Sequence, residues 1–427
     1  MTFNQSSLVA ILCALLALQS NARAENTTAM EDILALTVQN NPTIASARSS
    51  IESAKGTARQ AALLPNPQAI IEVENFAGEN EFSDLDGAEL TYGLEQLIET
   101  AGKRSRRTES ARLGLSAVEQ KSVSDSLGVI AETQFAVMRD LIAGEHVVIA
   151  KKRVALANES HEAVKKRVSA AAASDIEHTK VDIELKSADI ELQKAMERKE
   201  VAYEQLRTLV GVADIPEVDA AEISVLPRLP AKNDLLNAID QLPQNQRLAF
   251  AERQAKSQFD LAKAQAYPDF TVGVGLRQFR ATDETALVAT FSLPIPVFNR
   301  NQGGIARAKA EASKAEAEKR RGYLAARESA IAVWNQFVTA MQRVSSYRDD
   351  IIPSAEEAYD LANKGYRGGR YTFLDLLDAQ RTLYEVQDRY LASLLDLHQA
   401  NAQSDFLLSR HAELLRIYFN LEPENTK

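Results

Sequence analysis

The chain of 427 residues is long enough for two or three globular domains. Its formal net charge of −10 argues against a nucleic-acid binder, because such proteins need a basic face to neutralise phosphates. Only 6% of the residues are aromatic, and Ala, Glu, Gln, Lys, Arg and Leu dominate the long stretches between prolines, which favours helices and coiled coils.

The N-terminus has the pattern of a secretory signal. The apolar run Leu8–Leu18 is too short to cross a membrane, and Ala22-Arg23-Ala24 is a small-x-small cleavage pattern, so residues 1–24 are predicted to be removed. The alternative is an apolar first helix. Cys13, the single cysteine, lies in the apolar run behind a large residue, which disfavours lipid anchoring and leaves the mature chain without thiol chemistry.

Two parts of the chain look alike at an offset of about 200 residues, which predicts an internal duplication. Pro65 aligns with Pro268, Phe76 with Phe279, and, in a separate match, Asp175 with Asp375. The predicted organisation is a signal peptide (1–24), a first repeat (25–211) with a β-hairpin at 66–98, a linker (212–231), a second repeat (232–417) with a β-hairpin at 269–297, and a C-terminal tail (418–427).

The four extended runs in these hairpins alternate between apolar and polar residues, as strands with one apolar and one polar face do. In the third run Val272, Val274 and Leu276 share one face. Each run has about 11 residues, the length that a tilted strand needs to cross a bilayer core of roughly 30 Å. The alternative is a pair of amphipathic hairpins that cap a soluble domain. The basic start of the following helix, Lys103–Arg107, would lie near lipid headgroups or be solvated.

Almost all the rest is predicted to be helical. Two long helices are predicted at 104–168 and 301–364, and Pro353 predicts an irregularity in the second of them. Shorter helices are predicted at 30–63, 175–211, 232–266 and 373–417. Two heptad seams predict coiled-coil packing. The first consists of Val123, Leu127, Ile130, Val137, Leu141 and Val148, and the second of Val181, Leu185, Ala188, Leu192, Ala195, Ala202, Leu206 and Leu209.

Four strands per chain cannot close a barrel, and an open edge in lipid leaves backbone groups without hydrogen-bond partners. A dimer would supply eight strands and a trimer twelve, and only the larger barrel leaves a lumen. The predicted fold class is therefore mainly α with membrane β: long antiparallel coiled-coil helices and two β-hairpins per chain, which close as a trimer.

The duplicated hairpins, the proline-rich link at 212–231 and the turn Tyr366–Gln380 resemble the TolC-like outer-membrane efflux proteins. The resemblance implies a homotrimer with a 12-stranded barrel among outer-membrane lipids and a long periplasmic α-helical barrel. It also implies two partners, a periplasmic adaptor (membrane fusion) protein and an inner-membrane pump of the RND type. The runs Leu94–Arg104 and Arg167–Glu177 are most similar to the cobalt–zinc–cadmium resistance branch, although Leu97 and Ala101 replace the proline and glycine typical of it.

Asp375 and Asp378 are three residues apart and therefore share one face of the last long helix. A trimer would repeat them into a ring of carboxylates, which selects for cations. The alternative is helix capping. The resemblance favours the ring and implies that both residues lie at the periplasmic aperture, with Tyr366 at the gate position. Tyr371 occupies the position of the family's gate arginine, with Arg370 one residue earlier.

Two turns rich in small residues are predicted to dock the adaptor, because small side chains allow another helical hairpin to approach closely. Their residues are Arg167, Ala170, Ala172, Ser174 and Asp175 in the first turn, and Gly368 and Gly369 in the second.

The sequence predicts no catalytic, cofactor or metal site. The five histidines are scattered, and none has the i, i+4 histidine partner of a zinc-binding helix. The predicted function is a passive duct, not an enzyme, for divalent heavy-metal cations. Two alternatives stay open: a duct for drugs or secreted proteins, and, from a different class, a soluble periplasmic coiled-coil scaffold.

Overall fold

The computed structural model of the protein describes residues 29–80, 85–171 and 173–421, so the predicted signal peptide lies outside the described residues. The helices are α1 (Met30–Asn40), α2 (Pro42–Ala61), α3 (Lys103–Ser169), α4 (Asp175–Val210), α5 (Lys232–Asn237), α6 (Pro243–Ala264), α7 (Gln302–Ser346), α8 (Ile352–Arg367), α9 (Phe373–Leu407) and α10 (Ala412–Phe419). The strands are β1 (Gln68–Glu74), β2 (Glu89–Ile98), β3 (Phe270–Phe279) and β4 (Glu284–Ser292).

Four of the six predicted helices are divided. The predicted helix 373–417 becomes α9 and α10, which are separated around Ser409, a residue with a positive φ of 52°. Asn41 accepts hydrogen bonds from the backbone of Thr43 and Ile44 at the start of α2, so the predicted helix 30–63 becomes α1 and α2. Pro243 starts α6 and separates it from α5. A π-helical turn at Tyr347–Ile351 directly precedes α8, which confirms the irregularity predicted at Pro353.

By their internal contacts the residues form two units. Of the described residues, the first unit contains 29–37 and those within Thr133–Pro227, and the second contains those within Val38–Glu132 and 228–421. The first unit is thus built mainly from the end of α3 and the whole of α4. The second contains both hairpins and the helices α5 to α10. The division into two repeats stays a prediction.

In the first unit, α3 and α4 are held together by rows of buried small residues, which we call the alanine seam. They recur every seven residues: Ala136, Ala143, Ala150, Ala157 and Val164 on α3, and Val181, Ala188, Ala195 and Ala202 on α4. The hydrogen bonds from Lys199 to Asp140 and from Arg139 to Gln205 fix an antiparallel register that places the two rows opposite each other. Such small side chains let two helix axes approach to about 8 Å.

The alanine seam replaces part of the predicted packing. Val148, a predicted seam residue, is 44% exposed, because the buried face of α3 beyond Leu141 follows Ala150 and Ala157 instead. The earlier members, from Val123 to Leu141, are buried as predicted. On α4 the valine and alanines of the predicted seam are buried, as are Leu206 and Val210. The predicted seam residues Leu185, Leu192 and Leu209 are only partly buried.

In the second unit the four strands form one antiparallel sheet in the order β1-β2-β3-β4. Ile71, Tyr92, Leu276 and Leu287 lie side by side across it on one face, and each is exposed by 49% or more. This register confirms the predicted alternation. β4 ends at Ser292, earlier than the predicted run to Val297, because the prolines that follow cannot donate ladder hydrogen bonds.

The opposite face of the sheet is polar and cross-linked by Arg277. Its guanidinium contacts the Glu74 carboxylate at 2.7 Å and the Glu89 carboxylate at 3.0 Å, and its Nε donates to the Thr91 hydroxyl at 2.9 Å. One side chain on β3 therefore binds both strands of the first hairpin. The two faces differ as sharply as the sequence predicts.

Beneath the sheet, a strand–helix junction links the two hairpins through Glu99, Thr100, Lys103, Arg107 and Asp269. Lys103 Nζ contacts the Asp269 carboxylate at 2.7 Å, and the Thr100 N–H donates to the same carboxylate at 2.7 Å. Arg107 pairs with Glu99 through two bonds, the longer 3.0 Å. Lys103 and Arg107 thus have internal partners, and the headgroup contact of the basic run Lys103–Arg107 stays a prediction.

A hydrophobic core of the second unit is built around α5 and α7. Its buried residues are Leu235, Ile239, Leu242, Ala330, Val333 and Leu407. Trp334 packs against this cluster and donates its indole N–H to the Pro230 carbonyl at 3.3 Å. Trp334 is therefore a packing residue that ties the end of the proline-rich linker to α7. Long helices with one small antiparallel sheet confirm the predicted fold class for the single chain.

Candidate functional site

The turn between α8 and α9 carries the predicted aperture residues. Tyr366 ends the buried stripe of α8, is 7% exposed, and lies with its ring 5.7 Å from that of Phe373. Gly369 adopts a positive φ of 71°, which lets the chain reverse, and Arg370 then donates its N–H to the Gly365 carbonyl at 2.8 Å. The Arg370 side chain is exposed. The turn therefore buries the tyrosine and presents the arginine to solvent.

Gly365 explains how the turn closes so tightly. A Cβ atom at this position would approach the Tyr371 ring to 2.0 Å, so the ring covers the glycine directly. Tyr371 occupies the position at which the family resemblance expects a gate arginine. In this chain the residue at that position is aromatic, and its ring packs against Gly365 of the same turn.

Asp375 and Asp378 lie on the same helix but have different surroundings. The Asp375 carboxylate accepts from the Thr372 N–H at 2.8 Å and from its hydroxyl at 2.7 Å, while the Asp375 N–H donates back to that hydroxyl. These hydrogen bonds, the side-chain one foremost, lower the pKa of Asp375. Within the described part of the chain, the exposed Asp378 carboxylate accepts no hydrogen bond. Asp375 therefore caps its own helix, and Asp378 is available to solvent ions.

Thr372 is the residue that sequence reasoning missed, although the spacing Thr372-x-x-Asp375 is a capping-box signal. Replacing Thr372 by alanine is expected to lower the free energy of unfolding by about 1 kcal/mol, because it leaves the first N–H groups of α9 without a cap. Thermal unfolding followed by circular dichroism measures this. Thr382→Ala, at an exposed site on the same helix, is the control and should change stability little. Equal effects of the two substitutions would contradict the capping role.

The turn between α3 and α4 carries the other predicted docking residues. Ala170 and the neighbouring Ala171, whose φ is +56°, form the exposed reversal, and Arg167 before it is half-buried. Ser174 caps α4 by accepting from the Glu177 N–H at 3.3 Å, and the exposed Asp175 lies in the first helical turn. Ala172 lies outside the described residues. The docking role of both turns stays a prediction.

Among residues 29–80, 85–171 and 173–421, no group of three or more His, Cys, Asp or Glu side chains is arranged to hold a metal ion. In the same ranges, no helix combines the length and the apolar character needed to cross a membrane. The two predicted aspartates are brought to one turn, but only one of them has a free carboxylate.

Comparisons with known proteins agree with this architecture. Residues 236–408 match the family model described as outer membrane efflux protein. The chain is 28% identical over 387 residues to the cobalt-zinc-cadmium resistance protein CzcC of Cupriavidus metallidurans. The aligned region covers 89% of this chain and 90% of that protein. It is 25% identical over 281 residues to the nickel and cobalt resistance protein CnrC of the same organism, 65% of each chain.

Other relatives and a solved structure extend the comparison. The pyoverdine export outer membrane protein OpmQ of Pseudomonas aeruginosa is 25% identical over 347 residues, 75% of this chain and 70% of that protein. The crystal structure of the outer membrane protein VceC of Vibrio cholerae superposes with a TM-score of 0.74 at 19% identity, covering 89% of this chain and 95% of that chain. Residues 236–408 thus match the outer membrane efflux protein model, and the fold of the chain is that of the TolC-like channels.

Proposed function

We propose that this chain is the outer-membrane duct through which divalent heavy-metal cations of the cobalt, zinc and cadmium class leave the cell. The observation that carries the proposal is the similarity to CzcC, which extends over 90% of that protein and is not confined to one domain. The duct is passive and needs no catalytic step. The energy for transport comes from a partner pump.

The sheet supports a trimer. β1 and β4 are its two edges, and each has unpaired backbone groups that lipid cannot satisfy. Pairing β4 of one protomer with β1 of the next removes every edge when a ring closes. Three protomers give twelve strands, enough for a lumen. The exposed apolar face carrying Ile71 and Leu287 would then contact outer-membrane lipid, and the Arg277 face would line the lumen.

For the remaining partners we propose a periplasmic adaptor protein that docks on the two small-residue turns, and an inner-membrane RND-type pump behind it. Crosslinkers introduced at Ala170 and at Gly369 should capture the adaptor in cells, whereas one at Ala155, an exposed position within α3, should not. Capture at neither turn would contradict the docking proposal.

For the aperture we propose Asp378, repeated three times by the trimer, as the carboxylate ring that favours cations. In planar bilayers, Asp378→Asn is expected to reduce the preference of the channel for cations over anions. Asp360→Asn, the same change of charge on α8, is the control. An unchanged ion preference in Asp378→Asn would contradict this assignment.

One observation favours a second substrate class. OpmQ, which is similar over 75% of this chain, is named as a pyoverdine export protein and not as a metal resistance protein. A strain lacking the gene should become sensitive to cobalt, zinc or cadmium if the first proposal holds, and to drugs alone if the second does. Complementation with the intact gene is the control. Recovery of the protein in the soluble periplasmic fraction would instead favour a scaffold.

A further inference from the structure

Two histidines that are distant in the sequence meet between α3 and α4. The ring centroids of His161 and His178 are 5.2 Å apart, with the ring planes inclined at 49°. The pair lies in the same antiparallel register as the Asp140–Lys199 ion pair, which is 21 residues further from the turn on each helix. Both histidines belong to the first unit. Helical spacing could not reveal the pair, because it forms only when the hairpin closes.

The separation of the rings fits one shared metal ion, although packed rings without a metal ion lie at similar distances. A zinc-like cation binds an imidazole nitrogen at about 2.0–2.1 Å, which puts the ring centroid about 3.2 Å from the ion. Two rings on one ion at the tetrahedral angle then have centroids about 5.2 Å apart. The observed 5.2 Å matches this distance without movement of either helix.

The surroundings of the pair suit a cation. His161 Nδ1 lies 3.6 Å from the Glu162 carboxylate, which leaves Nε2 as the ligand nitrogen. Asp182, one helical turn after His178, is close enough for both imidazoles to lower its pKa, although the hydrogen bond from Lys186 lowers it most. The His161 side chain is 16% exposed, so an ion can reach it.

We propose that His161 and His178 form a binding site for a divalent transition-metal cation such as Zn²⁺, Ni²⁺, Co²⁺ or Cu²⁺. Imidazole nitrogen selects these ions over Mg²⁺ and Ca²⁺, which prefer oxygen ligands. The two imidazoles are the protein ligands, and water completes the coordination. Bound metal joins α3 to α4 two turns before the Arg167–Asp175 reversal and stiffens that end of the hairpin. The site stands on its own geometry and does not depend on what the channel exports.

The test titrates Zn²⁺ alone into the untagged, detergent-solubilised full chain by isothermal titration calorimetry. We expect one ion per chain, and a loss of affinity of roughly tenfold or more in His161→Gln and in His178→Gln, since even outer-shell changes cost that much. His146→Gln, which removes another histidine of α3, is the matched control and should bind as the unchanged protein does. Unchanged affinity in both pair variants would overturn the proposal.

A second measurement identifies the ligands directly. Pulsed electron paramagnetic resonance with Cu²⁺ should detect two imidazoles on the ion in the unchanged protein and one in His178→Gln. Zn²⁺ should also raise the thermal midpoint of the unchanged protein but not that of His178→Gln. One imidazole in both proteins would contradict a shared ion. Metal sensitivity of the deletion strain is measured separately, so failure of this site leaves the export proposal standing.

Discussion

Replacing Lys103 by methionine is expected to lower the free energy of unfolding by about 2 kcal/mol, because it leaves the partly buried Asp269 carboxylate without its charged partner. Lys103 is 8% exposed, and its Nζ contacts both the Asp269 carboxylate and, at 2.7 Å, the Tyr267 carbonyl. Methionine keeps the length of the side chain while removing the charge. The measurement is thermal unfolding in detergent followed by circular dichroism.

Lys121→Met is the matched control, because Lys121 pairs with Asp125 in the open, where the two side chains are 60% and 44% exposed. An exposed pair contributes less than about 1 kcal/mol. The double variant Lys103→Met/Asp269→Asn should be more stable than Lys103→Met alone, since it leaves no unpaired charge. Equal losses in Lys103→Met and Lys121→Met would contradict the importance of the strand–helix junction.

The same junction predicts a dependence on pH. Burial alone would raise the pKa of Asp269, but hydrogen bonds from Lys103 and Thr100 outweigh it and lower the pKa from 3.8. A carboxylate with a lowered pKa stabilises the folded protein above its unfolded-state pKa, and this contribution disappears as pH falls through the folded-state value. The difference in thermal midpoint between the unchanged protein and Asp269→Asn should therefore shrink below about pH 4. A constant difference would contradict this assignment.

Replacing Ala150 by leucine is expected to destabilise the α3–α4 hairpin by about 2 kcal/mol, because three added carbons have no space between closely packed helices. Ala150 is 5% exposed and lies opposite Ala188, which is 8% exposed. Hydrogen exchange of the backbone amides in α3 and α4 reports the effect locally. Ala155→Leu makes the same change at an exposed position of the same helix and should be nearly neutral. If both variants exchange alike, the alanine seam does not control this hairpin.

The sequence predicts the sheet well and the helix contacts less well, for a physical reason. Val272, Val274 and Leu276 alternate with polar residues because each face of a strand has one environment, so the pattern is visible locally. Ala150 and Ala157 contrast little with their helical neighbours, so hydropathy favoured Val148 instead. Their burial depends on how closely α4 approaches, which the sequence of α3 alone does not determine.

At the candidate sites, too, local contacts could be predicted from the sequence and long-range contacts could not. The Thr372–Asp375 cap is local, and its spacing was available in the sequence. The pairing of His161 with His178 is not local, because it requires the hairpin register. Lys103 looked like a solvated basic residue until the second hairpin supplied Asp269, which follows it by more than 160 residues. Long-range partners are what a single-sequence pattern cannot provide.

The order β1-β2-β3-β4 also governs when the sheet can form. Its central pairing joins β2 to β3, and the bond between Arg277 and Thr91 spans 186 residues of chain. Contacts of such sequence separation form late, because the loop entropy must be overcome first. During synthesis the first hairpin is therefore complete before β3 has been made, and its β2 edge is then unpaired. The sheet of this protein can be completed only after the second hairpin has been synthesised and β3 has paired with β2.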